Sequence, residues 1–347
     1  MIETDAVVIG AGPVGLFQVF ELGLQEIGAQ VVDSLPFVGG QCAELYPDKP
    51  IYDIPAVAVC TGRELADRLM QQLAPFKPAF HLGQQVSGLM RRDDGRFELE
   101  TNRGTRFLTR LVLIAAGAGA FLPRKLKLDG LARFEGSQLH YHVADVEALA
   151  GQQVIVVGGD ERAVDTAVRI ATGNAAAAQV TLVHRRDHFD GPEALLARLR
   201  GLRQSGAVKV IAGQPTAFDE ADGRLASVTI TDNDDVAHTV PADALLVCLG
   251  LSPKLGPISD WGLAIERKQL VVDTASFQTS VPGLFAVGDI NTYPGKRKLI
   301  VSGFHEATLA AFAAAAHLRP EKPVQLQYTT TSPRLHALLG VPTPVKA

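Results

Sequence analysis

Residues 6–15 read AVVIGAGPVG, and this stretch decides the fold. A β-branched run is followed by the loop GAGPVG (10–15), which contains three glycines. The apolar pattern FQVFELGLQEIG (17–28) then predicts a helix. In such a turn Gly10 permits a tight bend, Gly12 lets a ligand approach the backbone, and Gly15 lets helix and strand pack closely. The pattern predicts a strand, a phosphate-cradling loop and a helix whose N-terminus faces an anion.

The next segment completes a βαβ unit. QVVD (30–33) is a short apolar strand that ends in Asp33, eighteen residues after Gly15. An acidic side chain at this position can accept hydrogen bonds from ribose hydroxyls. The first unit therefore predicts a dinucleotide site.

A second segment repeats this design. QQVIVVGG (152–159) precedes the helical pattern ERAVDTAVRIAT (161–172) and the strand QVTLVHRR (179–186). Each unit is followed by a small β segment and an apolar strand that ends in glycine, within 97–120 and 225–253. The sequence predicts an α/β protein with two Rossmann-like dinucleotide-binding domains and parallel sheets buried on both faces.

The second glycine loop departs from its pattern, because Asp160 replaces the middle glycine of Gly-x-Gly-x-x-Ala. Two like charges about 5 Å apart at an effective dielectric of about 20 repel by about 3 kcal/mol. Two alternatives follow. Either Gly159 takes the close approach, with Asp160 turned to solvent or capping the helix, or nucleotide binding is weak.

Bulk composition excludes several classes of protein. The net charge of −4 over 347 residues gives no general reason to expect nucleic acid or a membrane surface as a partner. The three cysteines contain no Cys-x-x-Cys, so we expect neither a disulfide framework nor a metal site, and we expect a reducing compartment. No leader is evident at the start, and the apolar stretch 307–318 is too short to cross a bilayer.

Further motifs carry a family resemblance. They are GGQCAELYPDKPIYDIP (39–55), HRRDHF (184–189), LFAVGD (284–289), IVSGFHEA (300–307) and a Tyr-Thr-Thr tail (328–330). With GAGPVG they resemble the two-dinucleotide-domain flavoproteins of the thioredoxin reductase superfamily, and more closely its ferredoxin–NADP reductase branch. The resemblance covers essentially the whole chain.

The resemblance implies a discontinuous FAD domain formed by 1–120 and 251–347. A nicotinamide domain, 121–250, would be inserted into it, and a C-terminal tail, 325–347, would cover the flavin. A homodimer in the cytoplasm is also implied.

The resemblance also assigns roles to side chains. Asp289 would hold the ribityl or pyrophosphate part of FAD, and Asp33 the adenosine ribose. Tyr46 would stack on one face of the flavin ring and Tyr328 on the other, with Thr329 near the reactive edge. These two tyrosines and Thr329 are the predicted catalytic residues. The remaining predicted cofactor-binding residues are Gly10, Gly12, Pro13, Gly15, Gly40, Gln41, Val86, Phe121, Gly288 and Thr330 for FAD, and Gly158, Gly159, His184, Arg185 and Arg186 for NADPH.

The cysteines and the second loop decide which branch is expected. Thioredoxin reductases pass electrons to a Cys-x-x-Cys after the second loop, and this chain has no cysteine there. Electrons must then leave the flavin directly, so the resemblance implies transfer from NADPH through FAD to ferredoxin or flavodoxin. Arg185 and Arg186 would bind the 2′-phosphate of NADPH, although Asp190 stands where the family has arginine.

Alternatives remain open at this point. The basic stretches 123–127 and 295–299 either dock an acidic carrier or serve solubility. An NADH- or NADPH-dependent oxidoreductase for a quinone or other small oxidant would have the same fold. A flavin-bound sensor with a degenerate nicotinamide site is a third reading, favoured by Asp160 and Asp190.

Overall fold

A computed structural model of the chain describes residues 1–141, 146–173, 176–324 and 326–342, and for 120–123 and 251–254 it describes the backbone only. The chain divides into two compact units. Unit 1 comprises Met1–Ala120 and Pro253–Ala347, and unit 2 comprises Phe121–Ser252. Each is described by itself below.

The elements are numbered in chain order. The strands are β1 Ile2–Ile9, β2 Ala29–Asp33, β3 Pro50–Ile51, β4 Cys60–Thr61, β5 Ala79–Leu82, β6 Val86–Arg91, β7 Phe97–Thr101, β8 Arg106–Ile114, β9 Ala120–Pro123, β10 Leu139–His140, β11 Gln153–Val157, β12 Gln179–His184, β13 Val208–Ala221, β14 Arg224–Asp232, β15 Ala237–Pro241, β16 Ala244–Val247, β17 Leu251–Lys254, β18 Ile265–Glu266, β19 Gln269–Val271, β20 Leu284–Ala286 and β21 Asn291–Thr292. The helices are α1 Pro13–Leu24, α2 Gly40–Leu45, α3 Gly62–Leu73, α4 Glu161–Thr172, α5 Glu193–Ser205, α6 Ile300–Leu318 and α7 Pro333–Leu339.

Unit 1 is built on a seven-stranded sheet in the order β5-β2-β1-β8-β7-β6, with β20 added beside β8. Strands β5, β2, β1, β8 and β20 are parallel, whereas β7 pairs antiparallel with β8 and β6 pairs antiparallel with β7. The carboxyl-terminal halves of β1 and β8 are apolar and buried, as is typical of central parallel strands. The Ala-rich helix α6 packs on α1, where the rings of Phe17 and Phe304 lie 4.8 Å apart.

Unit 2 repeats the plan with the sheet order β10-β16-β11-β12-β13-β14-β15. The first five strands are parallel, and β14 and β15 continue as an antiparallel meander. Helix α4 covers the predicted range 161–172. The predicted α/β class with two Rossmann-like units is therefore confirmed. None of the helices in the described ranges is long and apolar enough to cross a membrane.

Candidate functional site

The carboxyl ends of the parallel strands of unit 1 meet at one edge of the sheet. Ile114, the last residue of β8, pairs with Ile9 of β1 and with Ala286 of β20. The chain leaves each of these strands at the same level, so the GAGPVG loop and the Gly288–Asp289 turn begin side by side. Ligands of open α/β sheets bind at this edge.

The three loop glycines serve different purposes. A Cβ on Gly10, whose φ is +112°, would lie 2.3 Å from the carbonyl oxygen of Ala115, and one on Gly15 would lie 1.9 Å from that of Gly10. The fold itself therefore requires both. A Cβ on Gly12 would meet nothing closer than Gly40 Cα at 3.8 Å, so packing within the chain does not require this glycine.

The helix after the loop is open to an anion. Helix α1 starts at Pro13, and its N-cap Gly12 makes no side-chain hydrogen bond to the first turn. The free N–H groups and the positive end of the helix dipole then face outward from a backbone that carries no Cβ. These residues fit a pyrophosphate such as that of FAD.

Asp33 holds this loop in place. Its Oδ2 accepts the Ala11 N–H at 2.6 Å, and its Oδ1 accepts the Leu35 N–H at 2.8 Å. Burial raises the pKa of Asp33, and the two N–H bonds oppose that shift. Each carboxylate oxygen has a second lone pair, so the side chain can anchor the loop and still accept from a ribose hydroxyl.

The GGQ turn and Tyr46 lie at the same edge. Gly39 donates its N–H to Ala11 O at 2.8 Å, and Tyr46 ends α2 with its hydroxyl 3.4 Å from Cys42 Sγ. The pKa values of Tyr46 and Cys42 are raised first by burial, and the carboxylate of Asp289 also raises both. Asp289 is therefore near enough to Tyr46 and Cys42 to affect both groups, and the roles predicted for Tyr46 and Asp289 at one cofactor stay predictions.

The other predicted flavin contacts are either buried in the core, exposed on the tail or outside the described side chains. Val86 is 3% exposed and belongs to the core, so it offers almost no side-chain surface to a cofactor. The side chain of Phe121 lies outside the described residues. Tyr328 is 65% exposed, Thr329 and Thr330 are also exposed, and no ring contact joins Tyr328 to Tyr46 within the described residues.

The tail is anchored away from the loop. Arg334 of α7 donates to Gly23 O at 2.9 Å, near the C-terminal end of α1. A twelve-residue helix is about 18 Å long, so this anchor is separated from the glycine loop by nearly the length of α1. The predicted stacking of Tyr328 stays a prediction.

The second loop lies at the corresponding edge of unit 2. The backbone N–H of Gly158 donates to Val183 O at 2.9 Å, and the backbone N–H of Cys248 donates to Val157 O at 2.7 Å. Asp160 is the N-cap of α4, and its Oδ1 accepts the Ala163 N–H at 3.0 Å. Asp160 thus caps the helix, as the first alternative allows, while the close approach of Gly159 and the strength of nucleotide binding stay predictions.

Gly159 and His184 pack against each other. A Cβ on Gly159 would lie 2.5 Å from the His184 ring, so that ring fills the space on this side of the loop. Burial lowers the pKa of His184, and Arg185 and Arg186 lower it further. His184 is therefore a neutral ring supporting the loop, and the two arginines are the cations available to a phosphate.

Both arginines are exposed, and within the described residues neither forms an ion pair. Their neighbour Asp187 is held by Arg203 through two hydrogen bonds of 2.8 Å. Asp190 lies 3.6 Å from His188 and is also exposed. This cluster fits the 2′-phosphate of NADPH, with one residual negative charge close by.

The chain matches a family model described as pyridine nucleotide-disulphide oxidoreductase over residues 4–314. The chain belongs to this family. It is 60% identical over 345 residues to the ferredoxin–NADP reductase of Methylibium petroleiphilum, covering 99% of this chain and 94% of that protein. It is 57% identical over 345 residues to the ferredoxin–NADP reductase of Polaromonas naphthalenivorans, with the same coverage.

Solved structures support the same fold. A bacillithiol disulfide reductase from Staphylococcus aureus aligns with a TM-score of 0.61 at 15% identity, covering 93% of this chain and 100% of that one. A thioredoxin reductase from Lactococcus lactis aligns with a TM-score of 0.59 at 23% identity, covering 91% and 99%. The predicted resemblance is confirmed: the chain is an enzyme of the ferredoxin–NADP reductase group, and membership implies FAD and NADPH as cofactors.

Sequence reasoning missed one part of the flavin-domain site. It treated 295–299 as surface basic residues, whereas Lys296 is buried against Glu306 of α6. The available signal was the position of Glu306, a charged residue on the same helix face as Gly303, Ala307 and Ala310. A charge on an apolar face implies a buried partner.

Proposed function

We propose that this enzyme transfers electrons between NADPH and ferredoxin or flavodoxin through FAD. One observation carries the proposal: the chain has two glycine-loop edges suited to two dinucleotides, but no Cys-x-x-Cys follows the second loop, and Cys248 is the only cysteine of the sequence in that unit. Its three thiols are unpaired and buried, and burial raises the pKa of Cys248 to about 11. An internal dithiol relay has no residues to act through, so electrons go to an external acceptor.

The division of labour follows from the two edges. Unit 1 would hold FAD through the Gly12 backbone, the α1 N-terminus, Asp33 and Asp289, and unit 2 would hold NADPH through Arg185 and Arg186. Conversion between two-electron and one-electron transfer is the chemistry that bound FAD supplies. Tyr46 would fix the flavin ring plane and exclude water from one face.

The first test is anaerobic mixing of the holoenzyme with NADPH and, separately, with NADH. We expect NADPH at micromolar concentration to bleach the flavin absorbance near about 450 nm, followed by electron transfer to ferredoxin. Bleaching by NADH alone would favour the small-oxidant reading. Bleaching by neither nucleotide would contradict the reductase proposal and would favour a flavin-bound sensor with a degenerate nicotinamide site.

The carrier would dock on exposed basic residues. Within 295–299, Lys296 is buried, which leaves Arg297 and Lys298 on the surface; within 123–127, Lys125 is paired with Glu135 at 2.6 Å. Electrostatic steering predicts a ferredoxin reduction rate that falls steeply with ionic strength. The R297E/K298E variant should reduce a ferredoxin at a rate that depends less on ionic strength. K322E, which changes an exposed lysine elsewhere, should show the same salt dependence as wild type. A slope unchanged in R297E/K298E would place the docking surface elsewhere.

We further propose a homodimer in which a second copy covers the tail. The tail exposes several apolar side chains: Leu326, Tyr328, Leu338, Leu339 and Val341. An exposed apolar set of this kind is typical of an interaction surface. Light scattering on the eluting holoenzyme should give twice the chain mass, and a chain ending at residue 324 should give the monomer mass. A monomeric full-length enzyme would contradict the proposal.

The same reasoning proposes the cytoplasm as the location, because three buried, unpaired thiols suit a reducing compartment. Cell fractionation with a tagged chain would test it, and recovery from an oxidising compartment would refute it.

A further inference from the structure

A buried carboxylate lies directly behind the Gly288–Asp289 turn. Glu306 is 0% exposed and accepts four hydrogen bonds. Its Oε2 accepts the Gly288 N–H at 2.7 Å and Asn291 Nδ2 at 2.9 Å. Its Oε1 accepts the Tyr293 hydroxyl at 2.9 Å and Lys296 Nζ at 2.5 Å. All four partners are donors, so each carboxylate oxygen accepts two hydrogen bonds.

Lys296 completes the arrangement from the other side. Its side chain is 6% exposed, and its Nζ also donates to Gly288 O at 2.8 Å. The ion pair therefore holds both backbone polar groups of Gly288, one through Glu306 and one through Lys296. Gly288 has φ +79°, a left-handed conformation, and its two hydrogen bonds keep the backbone there.

The turn is also joined to the first glycine loop. A Cβ on Gly303 of α6 would lie 2.4 Å from Val14 of the GAGPVG loop and 3.4 Å from Gly288 Cα. The side chain of Val14 thus packs against the backbone of both Gly303 and Gly288, which leaves no room for a Cβ on Gly303. A shift of the Gly288 turn would be transmitted to the start of α1.

Stability alone is a weak reason for such a pair. Removing two charges from water costs several kcal/mol per ion, and apolar replacements of buried ion pairs are often neutral or stabilising. The pair does something that apolar residues cannot do: it bonds the N–H and C=O of one left-handed glycine and adds no net charge near the turn.

We propose that Glu306 and Lys296 are positioning residues for FAD, which hold the Gly288–Asp289 turn in its binding geometry and balance each other's charge beneath the cofactor. The proposal rests on the assignment of FAD to this edge of unit 1. It predicts two separable effects, one on FAD affinity through geometry and one on the flavin potential through charge.

The test uses the full chain with E306Q, K296M and the double variant K296M/E306Q. FAD dissociation constants are measured by titrating the apoprotein, and midpoint potentials by redox titration of the loaded protein. E306Q leaves the lysine charge uncompensated and should raise the potential, because a nearby cation stabilises reduced, anionic flavin. K296M keeps the carboxylate and removes its cation, so it should lower the potential. The double variant should return close to wild type.

Affinity reports the positioning role. Each single variant breaks charged hydrogen bonds to the Gly288 backbone, and we expect FAD binding to weaken by about tenfold to a hundredfold. E306D keeps the charge but shortens the side chain, so it should weaken FAD binding without moving the potential. K322M, which removes an exposed lysine of the same unit, should change neither quantity.

The outcomes separate this proposal from the one on which it rests. Wild-type apoprotein that binds no FAD would overturn the proposed function. Wild type that binds FAD, with single variants that bind FAD normally or whose midpoint potentials shift in the same direction, would overturn the positioning role alone. If E306Q or K296M fails to fold, E306D and the double variant K296M/E306Q still test the positioning role. Normal FAD affinity in both of these variants would refute the proposal.

Discussion

Gly12 and Asp160 occupy corresponding positions in two related loops. A phosphate bound at the first loop would meet free N–H groups, whereas one bound at the second would meet a carboxylate. Both are helix N-caps, but Gly12 makes no side-chain bond, whereas the Asp160 carboxylate occupies the Ala163 N–H. An uncapped N-terminus attracts an anion, and a carboxylate already bound there competes with it. We therefore expect the FAD loop to be a strong pyrophosphate site and the NADPH loop a weakened one.

Replacing Asp160 by glycine should tighten NADPH binding. Removal of a negative charge about 5 Å from the pyrophosphate is expected to lower the NADPH dissociation constant by about tenfold to a hundredfold. Glycine is itself a tolerated N-cap, so the stability cost is only a few tenths of a kcal/mol. Calorimetric titration with NADPH measures the effect.

D165N is the matched control, since Asp165 lies on the same helix beside Arg169 and away from the N-terminus. If D160G binds NADPH no better than D165N, the Asp160 carboxylate does not face the nucleotide.

Two loop glycines should respond differently to alanine. G12A has 3.8 Å of clearance within the chain, so the apoprotein should keep its Tm while FAD affinity falls by about tenfold or more, as a Cβ blocks the backbone approach. G15A forces a Cβ to within 1.9 Å of Gly10 O and should lower the Tm of the apoprotein. Thermal unfolding without FAD and titration with FAD distinguish the two, and an equal loss of stability in both would contradict the assignment.

At the level of secondary-structure elements, the packing of α1 against α6 buries an acidic side chain. Glu21 is 7% exposed, and burial raises its pKa from the ordinary 4.5 to about 7, opposed by a hydrogen bond from Thr308. The folded protein therefore holds a proton on Glu21 that the unfolded chain releases above about pH 4.5. The stability that this proton provides is present below about pH 4.5 and is lost as the pH rises to about 7.

E21Q stays uncharged at every pH, so it should remove this part of the pH dependence. At pH 8 we expect E21Q to be more stable than wild type by at most about 3 kcal/mol, and near pH 4.5 the two should converge. Tm values of the FAD-loaded proteins across pH 4.5 to 8 measure it, with E321Q, at an exposed position, as the control. A constant difference in Tm across this range would contradict the raised pKa.

At the scale of the whole molecule, each unit has its own hydrophobic core and its own loop edge. Changes in one site should then leave the other cofactor's affinity unaltered. R185A/R186A should weaken NADPH binding by about tenfold or more through the lost phosphate contacts, and leave both NADH binding and FAD content unchanged.

R198A removes another exposed arginine of unit 2, one that bonds Thr172, and should bind NADPH normally. Nucleotide titrations and the flavin absorbance of the purified proteins measure these effects. Equal losses of NADPH and NADH affinity in R185A/R186A would show that these arginines do not read the 2′-phosphate.

Much of this molecule could be read from the chain. Local periodicity and glycine spacing predicted α4 over 161–172, β1 and β2 around GAGPVG, and the small β segment within 97–120, because those patterns act over neighbouring residues. The same signals identified Gly10, Gly12 and Asp33 as one loop site, since their spacing in a βαβ unit is nearly invariant. The sequence by itself thus determined the fold class, the family and the position of both loops.

Only the tertiary structure decided how distant residues combine. It showed that Asp160 caps α4, that the ring of His184 fills the space beside Gly159, and that Lys296 turns inward to Glu306. Each outcome depends on which side chains approach one another after the sheets have formed. Burial and hydrogen-bond partners set the charge state and direction of a polar side chain, and those partners are scattered along the chain.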